Sequence, residues 1–233
     1  MDVRAWGRRL AASLRASIGD VTFGMEDGAV SVTGLVFGVA AGTQSSSVVV
    51  LAGATGAVAG AVSMMAGRYL DAQSSGHRHE SLLEATRTRV TAHPEGYLRR
   101  AGERFRAWGF SQDETDAVVA ALRRNPPALA DHVAAHELGS PAGPEASPLT
   151  HAWWMFVADL LAASVPVLPF VLLPLEQARV VSFLVTGALM AALGVARARV
   201  GGQNIVWTAV QTMAIAGAAA LAGVAVGRLV GEM

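Results

Sequence analysis

Apolar and polar positions fall into long blocks along this chain. Residues 28–67 carry no charged side chain, and neither do 160–175, 180–196 or 200–227. A helix needs roughly 20 apolar residues to cross a hydrocarbon layer of about 30 Å, and each run approaches or exceeds that length. The first run is too long for one crossing, and GTQSSS at 42–47 supplies its turn. The pattern therefore predicts spans at about 21–42, 48–70, 152–173, 178–197 and 204–227.

Residues 72–150 are polar and read as helices. HRHESLLEATRTRV prolongs the second span into water. HPEGYLRRAGERFRAWGF carries apolar Tyr97, Leu98, Phe105, Trp108 and Phe110 and stops near Gly109. SQDETDAVVAALRRN opens on a capping box from Ser111 to Glu114 and halts at Pro126–Pro127. ALADHVAAHELG is a third short helix ended by Gly139, and SPAGPEASP is a linker. At the start, MDVRAWGRRLAASLRAS is basic, but Arg9 and Arg15 interrupt its apolar residues. It reads as an interfacial amphipathic helix and not as a signal peptide. The expected fold class is all-α: a polytopic membrane protein with five transmembrane helices and a three-helix cytoplasmic insert between helices 2 and 3. Its segments are 1–19 (amphipathic, cytoplasmic), 20–71 (spans 1 and 2), 72–150 (cytoplasmic helices) and 151–233 (spans 3 to 5).

Composition sharpens this picture. The chain is 52% hydrophobic and 15% charged, too apolar for a soluble domain. It has no cysteine, which excludes disulfides, iron–sulfur clusters and thiolate metal sites. All 18 basic residues are arginine, and without lysine no retinal-type Schiff base can form. With the N-terminus in the cytoplasm, sixteen arginines fall inside and only Arg179 and Arg228 outside. That bias predicts an odd number of spans and an external C-terminus. Between 72 and 150, ten acids balance nine arginines, which argues against nucleic acid as a partner and gives no polybasic lipid hook. Abundant Ala, Gly, Val and Arg point to a GC-rich bacterial genome, and hence to the plasma membrane. No nucleophile–base pair stands out, so the chain does not read as an enzyme.

Charged groups inside spans are costly and usually face protein or water. In MEDGAVSVTGLVFGVAAG, Asp27 shares a helical face with Ser31, Gly34 and Gly38. Two readings are open: a functional carboxylate in the membrane, or the cap of a helix starting at Gly28. Asp159 in span 3 is the second such acid, followed by Pro166, Pro169 and Pro174, which can loosen the helix ladder. In SMMAGRYLD a thioether of Met64 or Met65 could ligate a late first-row metal, or could be filler. Small residues recur as Gly34, Gly38 and Gly42, as Gly56 and Gly60, and as Gly223 and Gly227, spacings that allow close helix packing within or between subunits. In the insert, His132 and His136 are four apart, with Asp131 and Glu137 beside them. This is metal-ligand spacing, but the order is not that of a zinc protease. His77, His79 and Glu80 form a weaker cluster.

Several of these stretches together carry a likeness. DGAVSVTGLVFGVAAG from Asp27, AVAGAVSMMAGRYLDAQS, LRRNPPALADHVAAHELG and VPVLPFVLLP occur in an order that resembles the vacuolar iron transporter family, over about residues 20–230. The resemblance implies a homodimer joined through its transmembrane helices, exporting Fe2+ or related divalent ions from the cytosol against protons. It implies that Asp27 and Met64 bind the ion within the membrane, and that Glu103 and Glu137 survive from a glutamate-rich collecting site. No cofactor is expected to be bound permanently. The ion is cargo: Fe2+ or Mn2+, with Co2+ and Zn2+ as further candidates.

The chain also departs from the family pattern. Gly56 stands where eukaryotic members have a glutamate, and Arg68 where many bacterial members read GEY. Arg99, Arg100, Arg104 and Arg106 crowd Glu103, and Val133 and Ala134 replace insert methionines. Four guanidinium charges repel a cation by the same electrostatics with which acids attract it. Two accounts follow. In one, Asp27, Met64 and Asp159 still move metal, with His132 and His136 beside Glu137 as substitute ligands. In the other, the scaffold has lost metal transport and serves another solute or a structural or regulatory membrane role.

Overall fold

The computed structural model describes residues 3–137 and 147–231, and among them the chain forms nine helices and no strand. These are α1 (Val3–Ala16), α2 (Ile18–Gly42), α3 (Ser46–Ala92), α4 (Pro94–Ala107), α5 (Gln112–Arg124), α6 (Pro126–Glu137), α7 (Pro148–Leu172), α8 (Leu175–Gly201) and α9 (Ile205–Gly231). Five of them, α2, α3, α7, α8 and α9, are long and apolar enough to cross a membrane. The predicted stop at Gly139 and most of the linker lie outside the described residues.

The chain divides into two compact units, one made of residues 1–70 and 146–233, the other of 71–145. In the first unit α2 is the central helix, packed against α7, α9 and α8. Three approaches in a constant register show that α2 and α7 run parallel: Asp20 meets His151, Gly24 meets Met155 and Gly28 meets Asp159. α9 is parallel to α2 as well, with Gly34 against Ala219, Gly38 against Gly223 and Gly42 against Gly227. The first and third glycine series therefore pair with each other inside the chain. Without Cβ atoms the two backbones come into direct contact, the arrangement that drives helix association where no hydrophobic force operates. α8 runs antiparallel to α2, as the edge-on Phe37–Phe183 pair and the Arg197–Glu26 contact require.

Side chains of the spans sort by size. The interior is Ala29, Val32, Val36, Ala57, Ala162, Ala163 and Phe170, whereas Leu51, Val58, Leu161, Leu184, Leu221 and Leu229 face outward. Small residues inside and large ones outside suit a bundle dissolved in lipid, where outward leucine costs nothing. α7 continues unbroken through Pro166 and Pro169. The backbone oxygen of Pro166 accepts the Ser182 hydroxyl of α8 at 2.8 Å, a polar tie between α7 and α8.

The second unit is built on a smaller core of Val90, Leu98, Leu129, Ala130 and Val133. The capping box at the start of α5 forms: Ser111 Oγ accepts from the Glu114 amide, and Glu114 Oε2 accepts the Ser111 amide at 2.9 Å. The Ser111 amide, and with it the Ser111 hydroxyl at 2.8 Å, donate to the exposed Glu114 carboxylate and hold it below its usual range. Gly109, with φ +94°, makes the left-handed turn that closes α4.

Candidate metal site within the spans

Three acids stand on α2, and each meets a different environment. Asp20 is held on both sides: Arg68 Nε donates to Oδ1 at 2.5 Å, and His151 Nδ1 lies 2.6 Å from Oδ2. Ser17 Oγ lies 3.2 Å from the same imidazole nitrogen, joining the start of α2 to α7. Glu26 faces α8, where Arg197 reaches Oε2 at 3.3 Å. Asp27, one residue on, is half-buried and has no hydrogen-bond or ion-pair partner among the described residues. It lies in the third turn of α2, whose first residue is Ile18, so the reading of Asp27 as a helix cap is overturned. Residue 17 takes that place, because the helix begins well before the uncharged run does.

Asp159 comes to Asp27 through the α2–α7 register. It is 1% exposed, and its Oδ2 has no partner. The carboxylate is packed over Gly28: a Cβ there would lie 2.7 Å from Asp159 Oδ1 and 2.5 Å from its main-chain oxygen. Asp27 and Asp159 are close enough for their charges to act on one another. An unpartnered carboxylate in apolar surroundings is expensive, and two side by side more so. Such a pair is completed by positive charge, either a proton or a metal ion.

Two methionines fall near the same level of the unit. Met64 of α3 is half-buried, one turn before Arg68 and two turns after Gly56. Arg68 pairs with Asp20 and Gly56 abuts Leu35, so the antiparallel register brings Met64 level with the turn of α2 that contains Asp27. Met155 is buried on α7, one turn before Asp159 and against Gly24. Its four-residue spacing from Asp159 was visible in the sequence, but nothing local singled it out. The Asp20–His151 pair left no local signal at all, since 131 positions separate its members. One turn past Asp27, Ser31 begins an apolar groove of about 670 Å3 that follows Gly34, Gly38 and Gly42 beside α9.

The insert residues do not gather in the same way. Glu103 is exposed on α4. Glu137, at the end of α6, pairs with Arg89 at 3.6 Å. His132 is half-buried and stacked on Phe105, with ring centres 5.4 Å apart, while His136 one turn on is exposed. Burial first, then Arg104 and His136, hold the His132 imidazole below the usual histidine range. His77 and Glu80 are exposed on α3, with His79 half-buried between them. Among the described residues no three His, Asp or Glu side chains come together as a metal site would need.

Known proteins are similar to this chain in sequence. The profile of the VIT family matches residues 18–228. A vacuolar iron transporter of Centaurea cyanus is 31% identical over 158 residues, 66% of this chain and 64% of that protein. Vacuolar iron transporter 1 of Arabidopsis thaliana is 30% identical over 158 residues, 66% of this chain and 63% of the relative. For the protein of the same name from Tulipa gesneriana the figures are 28% over 165 residues, 70% and 67%. The chain thus spans a little under two thirds of the first two relatives. The family match runs through every membrane-length helix and both unpartnered acids, and on that ground the chain belongs to the VIT family, the vacuolar iron transporters its motifs resemble.

Proposed function

We propose that the protein exports a divalent transition metal, Fe2+ or Mn2+, from the cytosol in exchange for protons. The observation that carries this reading is the Asp27–Asp159 pair, two carboxylates within the spans that meet no counter-charge among the described residues. A metal ion bound there neutralises both. Protonation from the acidic side then competes for the same oxygens and releases the ion, since a carboxylate cannot hold a metal and a proton together. Met64 contributes a soft thioether, which favours late first-row ions over Mg2+. Its relatives' names as iron transporters support the choice of cargo.

The active form in this reading is a homodimer. The groove that starts at Ser31 is open on one side of a single chain and would be closed by a second copy. The arginine bias supports an N-terminus in the cytoplasm and a C-terminus outside, and the Ala-, Gly-, Val- and Arg-rich composition supports a bacterial plasma membrane. A second reading, a family scaffold that no longer moves metal, draws on the insert, where Glu103, Glu137, His132 and His136 form no collecting cluster.

The test is uptake of Fe2+ and Mn2+ into proteoliposomes under a pH gradient. Wild type is compared with Asp27→Asn and Met64→Ala. Gradient-dependent flux that disappears in Asp27→Asn is the expected result. No flux above empty vesicles from a well-folded dimer would leave the scaffold reading standing.

A further inference from the structure

In the second unit the unmatched charge has the opposite sign. Where α4 and α6 pack, a pocket of about 40 Å3 is walled by Tyr97, Arg100 and Arg104 from α4 and by His132, His136 and Glu137 from α6. The guanidinium of Arg100 lies over the Tyr97 ring, 4.4 Å from its centre. Neither Arg100 nor Arg104 has a carboxylate partner among the described residues. The one acid in the wall is already engaged, Glu137 with Arg89 at 3.6 Å. Asp131, next to His132 in the chain, is engaged with Arg87 at 3.1 Å. The stack on Phe105 fixes the His132 ring, and its Nε2 is buried without a partner.

We infer that this pocket binds a phosphate-type oxyanion. Arg100 and Arg104 are one helical turn apart on the same face, and both line the pocket with planar donor forks. That fork geometry matches the oxygens of a phosphoryl group, which an ammonium or a lone imidazole does not. The pocket is about three times the ~10–15 Å3 that one water molecule needs. It seats one oxygen within reach of His132 Nε2 and leaves the others to the guanidinium groups. A divalent cation is a poorer occupant, because it would enter between two uncompensated guanidinium charges. The inference is independent of what crosses the membrane in the first unit.

The phosphoryl group has two possible sources, a soluble phosphate compound or a phospholipid headgroup. The experiment uses the full chain in nanodiscs and reads amide exchange of α4 and α6. In one arm the lipid is phosphatidylcholine and pyrophosphate is titrated to millimolar levels. In the other, phosphatidylglycerol is added to the disc without pyrophosphate. Protection in the first arm identifies a soluble ligand, and protection only in the second a headgroup. In either case the pocket is supported if the double variant Arg100→Gln, Arg104→Gln weakens the effect at least tenfold. Arg124→Gln, an exposed change on α5, should leave it intact. If the double variant does not fold, Arg100→Lys with Arg104→Lys takes its place; it keeps the charge, loses the fork and should still weaken binding severalfold. Absence of protection in both arms, protection that survives these substitutions, or stronger protection by Mn2+ than by pyrophosphate would overturn the inference.

Discussion

Within the first unit, arginines from the two antiparallel helices neutralise Asp20 and Glu26 and leave Asp27 facing Asp159. Within the second, arginines of α3 neutralise Asp131 and Glu137, and Arg100 and Arg104 of α4 have no acid among the described residues. The formal net charge of zero conceals both facts. Exposed ion pairs contribute little to stability, so most of these pairings say little about folding. The groups left over are more telling. An unpartnered carboxylate in a span costs several kcal/mol unless something completes it, and the completing partner we propose differs in sign between the units: a cation for one, an anion for the other.

The neighbours Glu26 and Asp27 offer the sharpest way to break this comparison. Asp27→Asn or Asp159→Asn should cut gradient-driven metal flux more than about tenfold, or ~1.4 kcal/mol and upward in the barrier. Glu26→Gln removes a charge one residue away but one that Arg197 already meets, and should retain most of the flux. Equal losses in radiotracer uptake would mean that any acid at this depth matters, paired or not.

The close packing of Asp159 on Gly28 gives the next effect. A methyl in Gly28→Ala would meet the Asp159 main-chain oxygen at 2.5 Å, and overpacking of that kind costs about 1–3 kcal/mol. Gly76→Ala, on the part of α3 with nothing within 4 Å, should stabilise by up to ~1 kcal/mol through helix propensity. Thermal unfolding in detergent compares the two. A neutral Gly28→Ala would show that α2 and α7 are not pressed together at the acid pair.

In the second unit, Ser111→Ala removes the N-cap of α5 and should cost about 1 kcal/mol. Amide exchange should rise in the first turn of that helix and leave the spans unchanged. Weakest of all is a pH effect. The folded-state pKa of His132 lies below the ordinary value near 6.5, so on acidification the unfolded chain takes up the proton first. The contribution is present in full above that ordinary value and is lost as pH falls toward the folded one. Protection in α6, taken relative to the intrinsic exchange rate at each pH, should therefore fall as pH drops below about 6.5, and His132→Phe should remove that dependence while keeping the stack on Phe105.

By itself the sequence determined the helices and their lengths, because the signals are local. Uncharged runs mark the five membrane-length helices. The Ser111–Glu114 box opens α5 where expected, and GTQSSS yields the turn between α2 and α3. It also singled out Asp27, Met64 and Asp159 one at a time. What it could not supply was company. Glu26 and Asp27 look alike in the chain, and only the helices around α2 distinguish them. Asp159 reaches Asp27 because α7 lies parallel to α2 in one register, and Asp20 finds His151 by the same register. The double glycine motif did not say whether it faced another subunit or α9. In the insert, Glu103, His132 and Glu137 suggested ligands, whereas the packing of α4 on α6 collected arginines. Hydropathy and capping act over a few residues and can be read in order. Partner choice depends on which faces of distant helices bury together, and only the tertiary structure decides that.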